Sequence, residues 1–367
     1  MILLIPPDRL PVSFSTIPQL NLMSMLRNFW LYLRSFLASH SSFRALLSSF
    51  QASLFRCAAY VLSFSSLLFV GPGSAYADEE SVRRIEHSMG VTQVSGTPVR
   101  VVTLFQGATD TAIALGVIPV GVVDSWAEKP TYKYLRPHLQ GVPHVGLETQ
   151  PNLEVVAGLK PDLIIASKRR HEKIYGHLTQ IAPTIALETV FDFKDTVTMM
   201  GLAMNRQAQA ETLLRNWNDR VADFQQQIQL KLGDQWPQEV SAINFRADHA
   251  RLYLQGSYTG SILHELGFVS PPNHPQDHWM QKLATKESIP AMNADVFFVF
   301  MNTEDPAVLQ GYADWTRHPL WKNLDAVRKH QVFQVDQIAW HLSGSILGAN
   351  LMLDQIYDHF GLAGPTQ

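Results

Sequence analysis

Residues 207–232 read QAQAETLLRNWNDRVADFQQQIQLKL, and the fold turns on this stretch. Apolar side chains recur at Ala210, Leu214, Trp217, Val221, Phe224 and Ile228. The steps alternate between four and three, which places all six on one stripe of an α-helix. The other face carries Arg215, Asn218, Asp219, Gln225 and Gln226. Such a helix would be ~39 Å long at ~1.5 Å per residue. A coiled-coil pair also fits the spacing, but so short a run favours one helix laid across a globular body.

Short apolar runs flank this helix on both sides. Upstream, 100–105, 118–123, 162–166 and 184–187 read as strands buried on both faces. Helices are predicted over 107–115, over 152–159 with Asn152 as cap, and over 171–181. Downstream, strands are predicted over 239–245, 251–255, 295–301 and 331–335, with helices over 258–266 and 343–360. The halves echo each other: Leu115-Gly116 parallels Leu266-Gly267, and Pro161-Asp162 parallels Ala294-Asp295. The expected fold is α/β, with two Rossmann-like α/β lobes bridged by one long α-helix and a ligand cleft between them. One larger sheet is the alternative. The expected boundaries are a signal peptide and extension over 1–77, an arm over 78–98, a lobe over 99–191, a helical connector over 192–237 and a second lobe over 238–367.

The N-terminal region differs sharply in composition. From Arg9 to Ala77 there is no Asp or Glu, and five arginines are spread along it. Residues 57–70 are apolar, Gly71-Pro72-Gly73 follows, and Ala75-Tyr76-Ala77 precedes Asp78-Glu79-Glu80. Positive region, short apolar run and small-residue site make a secretory leader, with cleavage expected after Ala77 and a periplasmic location. As a helix the apolar run reaches only ~21 Å, short of a ~30 Å hydrocarbon core. Cys57 is the single cysteine, so it leaves with the leader and the mature chain forms no disulfide. Removing the five leader arginines and Asp8 leaves 24 basic and 31 acidic residues, a formal charge of −7. That balance argues against a nucleic-acid partner. It leaves an anionic small ligand open, because a cleft field can oppose the global charge.

No catalytic constellation stands out. The chain contains no G-x-S-x-G, P-loop or G-x-G-x-x-G pattern. His264-Glu265 begins an H-E-x-x-H, but Phe268 stands where the second histidine belongs. His274 and His278 are four apart among Pro271, Pro272 and Pro275, where a helix does not form. The chain therefore reads as a non-enzyme with no direct metal site and no cofactor. A periplasmic metalloenzyme built on scattered histidines is the alternative from another class.

The run Pro151 to Ile165 resembles the characteristic segment of the periplasmic iron-siderophore, haem and cobalamin binding proteins of ABC importers. So do Tyr258 to Gly267, His318-Pro319-Leu320-Trp321, and Gln331 to Asp336. The resemblance covers nearly all of 98–361, in order, around the long helix. Within the family it is strongest toward ferric-dicitrate-binding proteins, through Arg100 to Leu104, Gln150 to Ala166, Arg170-His171 and Gln180 to Pro183. It implies ligand held between two lobes, and delivery of ferric citrate or a similar carboxylate chelate to an inner-membrane permease by a monomer. Haem, cobalamin, hydroxamate or catecholate cargo on the same fold stays open. It also implies one docking glutamate per lobe, Glu154 and Glu265 by motif position.

An oxygen-rich ferric anion calls for guanidinium forks, which stay charged and bind carboxylate bidentately. In open α/β sheets ligands sit at the carboxyl ends of strands. That rule selects Arg170 after strand 162–166, with Arg169 beside it, and Arg246 after strand 239–245. Arg251 is a further candidate. Trp340 and Tyr258 are expected as aromatic walls. Gln106 is expected at a helix N-terminus whose amides can meet a carboxylate.

Overall fold

The computed structural model describes residues 82–275 and 278–364. The predicted leader and its cleavage site lie outside the described residues. Among those described, no helix is long and apolar enough to cross a membrane.

The chain opens with a hairpin, β1 (Arg83–His87) and β2 (Gly90–Val94), where only an arm was expected. The first lobe then runs β3 (Val101–Thr103), α1 (Gln106–Ala114), β4 (Gly121–Asp124), β5 (His144–Leu147), β6 (Gln150–Pro151), α2 (Leu153–Gly158), β7 (Leu163–Ser167), α3 (Lys168–His171), α4 (Tyr175–Ile181) and β8 (Thr184–Leu187). Helix α5 (Phe193–Ala203) leads into the long α6 (Gln207–Leu232). The second lobe holds β9 (Val240–Phe245), β10 (Ala250–Tyr253), α7 (Tyr258–Glu265), β11 (Met280–Leu283), β12 (Val296–Met301), α8 (Pro306–Thr316), α9 (Asp325–Arg328), β13 (Val332–Gln334) and α10 (Ile346–His359).

Among the described residues each lobe has its own sheet, beside the two-stranded β1-β2 hairpin, so the single larger sheet is ruled out. The first is ordered β6-β5-β4-β3-β7-β8 and is parallel except for the short β6. The second is ordered β11-β10-β9-β12-β13, with β9, β12 and β13 parallel and β10 antiparallel to both its neighbours, β9 and β11. Every residue of β7 and β12 is buried, as expected for strands covered on both faces. The helix predicted over 171–181 is broken into α3 and α4, because His171 turns inward at the end of α3.

Helix α6 presents the predicted stripe to the interior. Ala210, Trp217, Val221, Phe224 and Ile228 are buried, and Leu214 is half-buried. Phe224 meets Trp236, Phe268, Tyr357 and Phe360 edge-on or tilted. The stripe belongs to one apolar core that runs from Val101 and Leu163 in the first lobe to Phe298 and Trp340 in the second. Burying side chains of this size contributes about 1.5–3 kcal/mol each.

Polar contacts pin the lobes together below the cleft. The side chain of Asp110 on α1 accepts the backbone amides of Leu347 (3.1 Å) and Gly348 (3.3 Å) and the Tyr134 hydroxyl (2.7 Å). Ser345, the residue preceding α10, makes no side-chain cap to its own helix. Its hydroxyl lies 2.7 Å from that of Thr111 instead. The first turn of α10 is therefore capped by a carboxylate from the other lobe, which satisfies amides that would otherwise be orphaned.

Candidate functional site

A cavity of about 390 Å³ opens between the lobes at the carboxyl ends of their strands. Arg169, Arg170 and Gln106 line it from the first lobe, and Arg246 and Arg251 from the second. The two arginines on which the anion reading rests, Arg170 and Arg246, thus share one cavity. Its walls also include Trp126, Phe191, Tyr253, Trp279, Asn302 and His341.

Two expected wall residues lie elsewhere. Trp340 is fully buried, packed on Phe298 at 4.5 Å between ring centroids, with its indole N–H donating to Gln355. Tyr258 is buried too, its hydroxyl donating to the Ser345 carbonyl at 2.8 Å. Both belong to the shared core and not to the cleft. A wide turn at Ile338–Leu342 sends Trp340 inward and its neighbour His341 toward the cavity.

The first-lobe wall is organised around Glu148, which is only 4% exposed. Arg170 Nε donates to its Oε1 at 2.9 Å. The Gln106 amide and the Trp126 indole N–H both donate to its Oε2 at 3.2 Å. The helix N-terminus at Gln106, expected to face a ligand, is therefore already occupied by a protein carboxylate. His171 fixes the same segment: the Ser167 amide donates to its Nδ1 (3.0 Å), so Nε2 carries the proton given to the Glu148 carbonyl (2.8 Å). Burial lowers the pKa of His171 and keeps this neutral form.

Arg169 lies against Phe191 and Trp279, its guanidinium carbon 5.1 and 5.4 Å from their ring centroids. Those two rings stack on each other across the cleft at 5.4 Å. In the second lobe Arg251 Nε donates to His249 Nε2 at 2.9 Å, and His249 Nδ1 donates to Asp248 at 2.6 Å. The Tyr253 hydroxyl, beside Arg251, contacts His341 Nε2 at 2.9 Å. Burial, with Arg246 and Arg251 nearby, pushes the His341 pKa down to about 3.

The two glutamates expected to dock are not equivalent. Glu154 is exposed in the first turn of α2. Glu265 is half-buried, and its Oε1 takes both the Lys194 ammonium and the Trp217 indole N–H. Symmetry in the sequence pattern did not carry over, because α5 and α6 pack beside only one of the two positions.

Glu148, Trp126, Phe191, Asn302, Tyr253, Trp279 and His341 escaped the sequence reading. Trp126, Phe191 and Asn302 lie just beyond β4, β8 and β12. The strand-end rule, applied at every strand as it was for Arg170, would have found them. Glu148 also lies just beyond a strand, β5, but no strand was predicted there.

Two α/β lobes, a bridging helix and a cationic cavity between them define a binding protein with an interlobe ligand site. The family profile described as "Periplasmic binding protein" matches residues 101–339, and the chain belongs to that family. It is a binding protein, not an enzyme. It is 54% identical over 268 residues to the achromobactin-binding periplasmic protein of Dickeya dadantii (strain 3937), covering 73% of this chain and 88% of that one. It is 30% identical to the Fe(3+) dicitrate-binding periplasmic protein FecB of Escherichia coli (strain K12), covering 72% and 86%. The crystal structure of Staphylococcus aureus SirA complexed with staphyloferrin B superposes with a TM-score of 0.73 at 44% identity, covering 77% and 99%.

Proposed function

We propose that the protein captures a ferric chelate of high negative charge, ferric citrate or a related carboxylate siderophore, for an ABC importer. The observation that carries this is the charge of the cavity wall. Among the described residues, four guanidinium groups against one carboxylate give the lining a net charge of +3, with His341 neutral. Ferric iron held by six anionic oxygens is a trianion, whereas a tris-hydroxamate complex is neutral. A buried mismatch of that size costs far more than loss of one ordinary contact. The named relatives, which bind achromobactin, ferric dicitrate and staphyloferrin B, support the same class.

Trp126 and Trp279 in the wall supply an optical reporter. Tryptophan quenching is expected to saturate with ferric citrate or ferric staphyloferrin B and not with a tris-hydroxamate, haem or cobalamin. Tightest binding of a neutral complex would overturn the proposal. The leader motif supports export to the periplasm, and the single amphipathic stripe of α6, consumed by its own core, supports a monomer. Glu154, exposed on α2, is the acidic docking contact on the first lobe. Glu265 offers the permease only its second oxygen.

A further inference from the structure

Arg170 and Arg251, in opposite lobes, are held in the same manner. Each gives its Nε–H to one buried protein acceptor, Glu148 for Arg170 and His249 for Arg251. Among the described residues, the Nη atoms of Arg170 make no hydrogen bond to protein. Arg251 also hydrogen-bonds the Tyr253 hydroxyl, which leaves its other terminal N–H groups without a protein partner among the described residues. A guanidinium gripped at Nε has its plane set, and its terminal Nη1/Nη2 fork stays free for a bidentate partner. Both acceptors are themselves fixed, Glu148 by the Gln106 amide and Trp126 indole, His249 by Asp248. Neither acceptor has the freedom to swing into the cavity and compete for the fork.

We infer that Glu148 and His249 are positioning residues that pre-set the forks of Arg170 and Arg251 for two carboxylate groups of the bound chelate. This rests on the carboxylate-chelate reading above and adds to it how the site prepays orientation. A free arginine side chain loses rotamer entropy on binding, and an Nε-anchored one has already lost it. Glu148 also lowers the wall charge by one, so a design for charge alone would omit it. Its retention in contact with Arg170 is explained by geometry.

The test is a pair of double-mutant cycles on the full protein, read by tryptophan quenching with ferric citrate and ferric staphyloferrin B. Glu148→Ala is expected to weaken binding about tenfold in the wild-type background and again in Arg251→Ala. In Arg170→Ala its effect should shrink to about twofold or less. His249→Ala should show the mirror pattern, silent only in Arg251→Ala. If Glu148→Ala does not fold, Glu148→Gln keeps the size and one acceptor oxygen, and the same background dependence is expected at about three- to fivefold. Equal losses in every background, or a gain in affinity, would overturn the inference, since a merely structural role does not depend on which arginine is present. A wild-type protein that binds neither probe overturns the carboxylate reading and this inference with it. Wild-type binding that survives the acceptor variants unchanged in all backgrounds overturns this inference alone.

Discussion

Gly107 and Gly344 meet across the base of the cleft, one from each lobe, at backbone distance. A Cβ on Gly107 would fall 2.6 Å from the Gly344 carbonyl oxygen. Gly344 itself has φ +64, a conformation that side chains resist. Gly107→Ala is therefore expected to force the lobes apart by a few tenths of an ångström or more and to cost about 1–3 kcal/mol. Thermal melting checks the stability loss, and titration with ferric citrate should show weaker binding though no ligand-facing group has changed.

Asp110 completes the other half of that floor. Asp110→Ala leaves the Leu347 and Gly348 amides and the Tyr134 hydroxyl without their acceptor. Each buried unsatisfied group costs about 1–3 kcal/mol, so denaturant unfolding should report a loss of at least about 3 kcal/mol. Asp110→Asn, which retains one acceptor oxygen, should lose clearly less.

The His341 imidazole predicts how stability depends on pH. Its pKa is depressed to about 3 in the folded protein, against about 6.5 unfolded. Below pH 6.5 the unfolded chain takes up a proton that the folded one refuses, so the contribution of this group to stability falls as pH drops from 6.5 toward 3. His341→Phe, which keeps a ring against Tyr253, should flatten that slope by an amount up to a few kcal/mol. Bound anionic chelate offsets Arg246 and Arg251 and should also reduce the acid sensitivity. Melting curves at pH 4, 5, 6 and 7, with and without ferric citrate, check both.

Arg246 separates charge from shape. Arg246→Lys keeps the charge and loses the planar fork. If a carboxylate of the chelate meets it bidentately, the lysine variant should bind ferric citrate about tenfold more weakly. It should bind a tris-catecholate ferric complex with a smaller loss, and a competition titration compares the two.

The continuous core through α6 limits lobe motion. Ligand binding should leave the radius of gyration within about 1 Å of the free value, as small-angle scattering would read it. A larger contraction would mean that the shared core shears.

Much of this architecture was legible in the residues because its causes are local. The stripe on α6 follows from helical period alone, and β7 and β12 announce themselves as unbroken apolar runs. Arg170 and Arg246 could be placed on the cavity wall because a strand's end fixes where the next side chains emerge. Trp340 and Tyr258 misled for the opposite reason: one turn's phase decides whether a ring faces core or cleft, and composition is indifferent to it. The Lys194 partner of Glu265 was not legible because it is 71 positions away.

By itself, the order of residues determined the principal strands and helices of each lobe, their alternation and the bridging helix, since hydrophobic period and turn chemistry act within a few residues; it left the hairpin, β5, β6, β11, α5, α8 and α9 unread. Tertiary structure alone decided that Glu148 grips Arg170 from 22 positions away and that Asp110 caps a helix some 237 positions downstream. The first pairing is set by how the turns of one lobe pack on each other, the second by how the two lobes meet. Hydrogen-bond satisfaction in a buried interface acts on whichever groups the packing brings within 3 Å or so, and no sequence spacing encodes that.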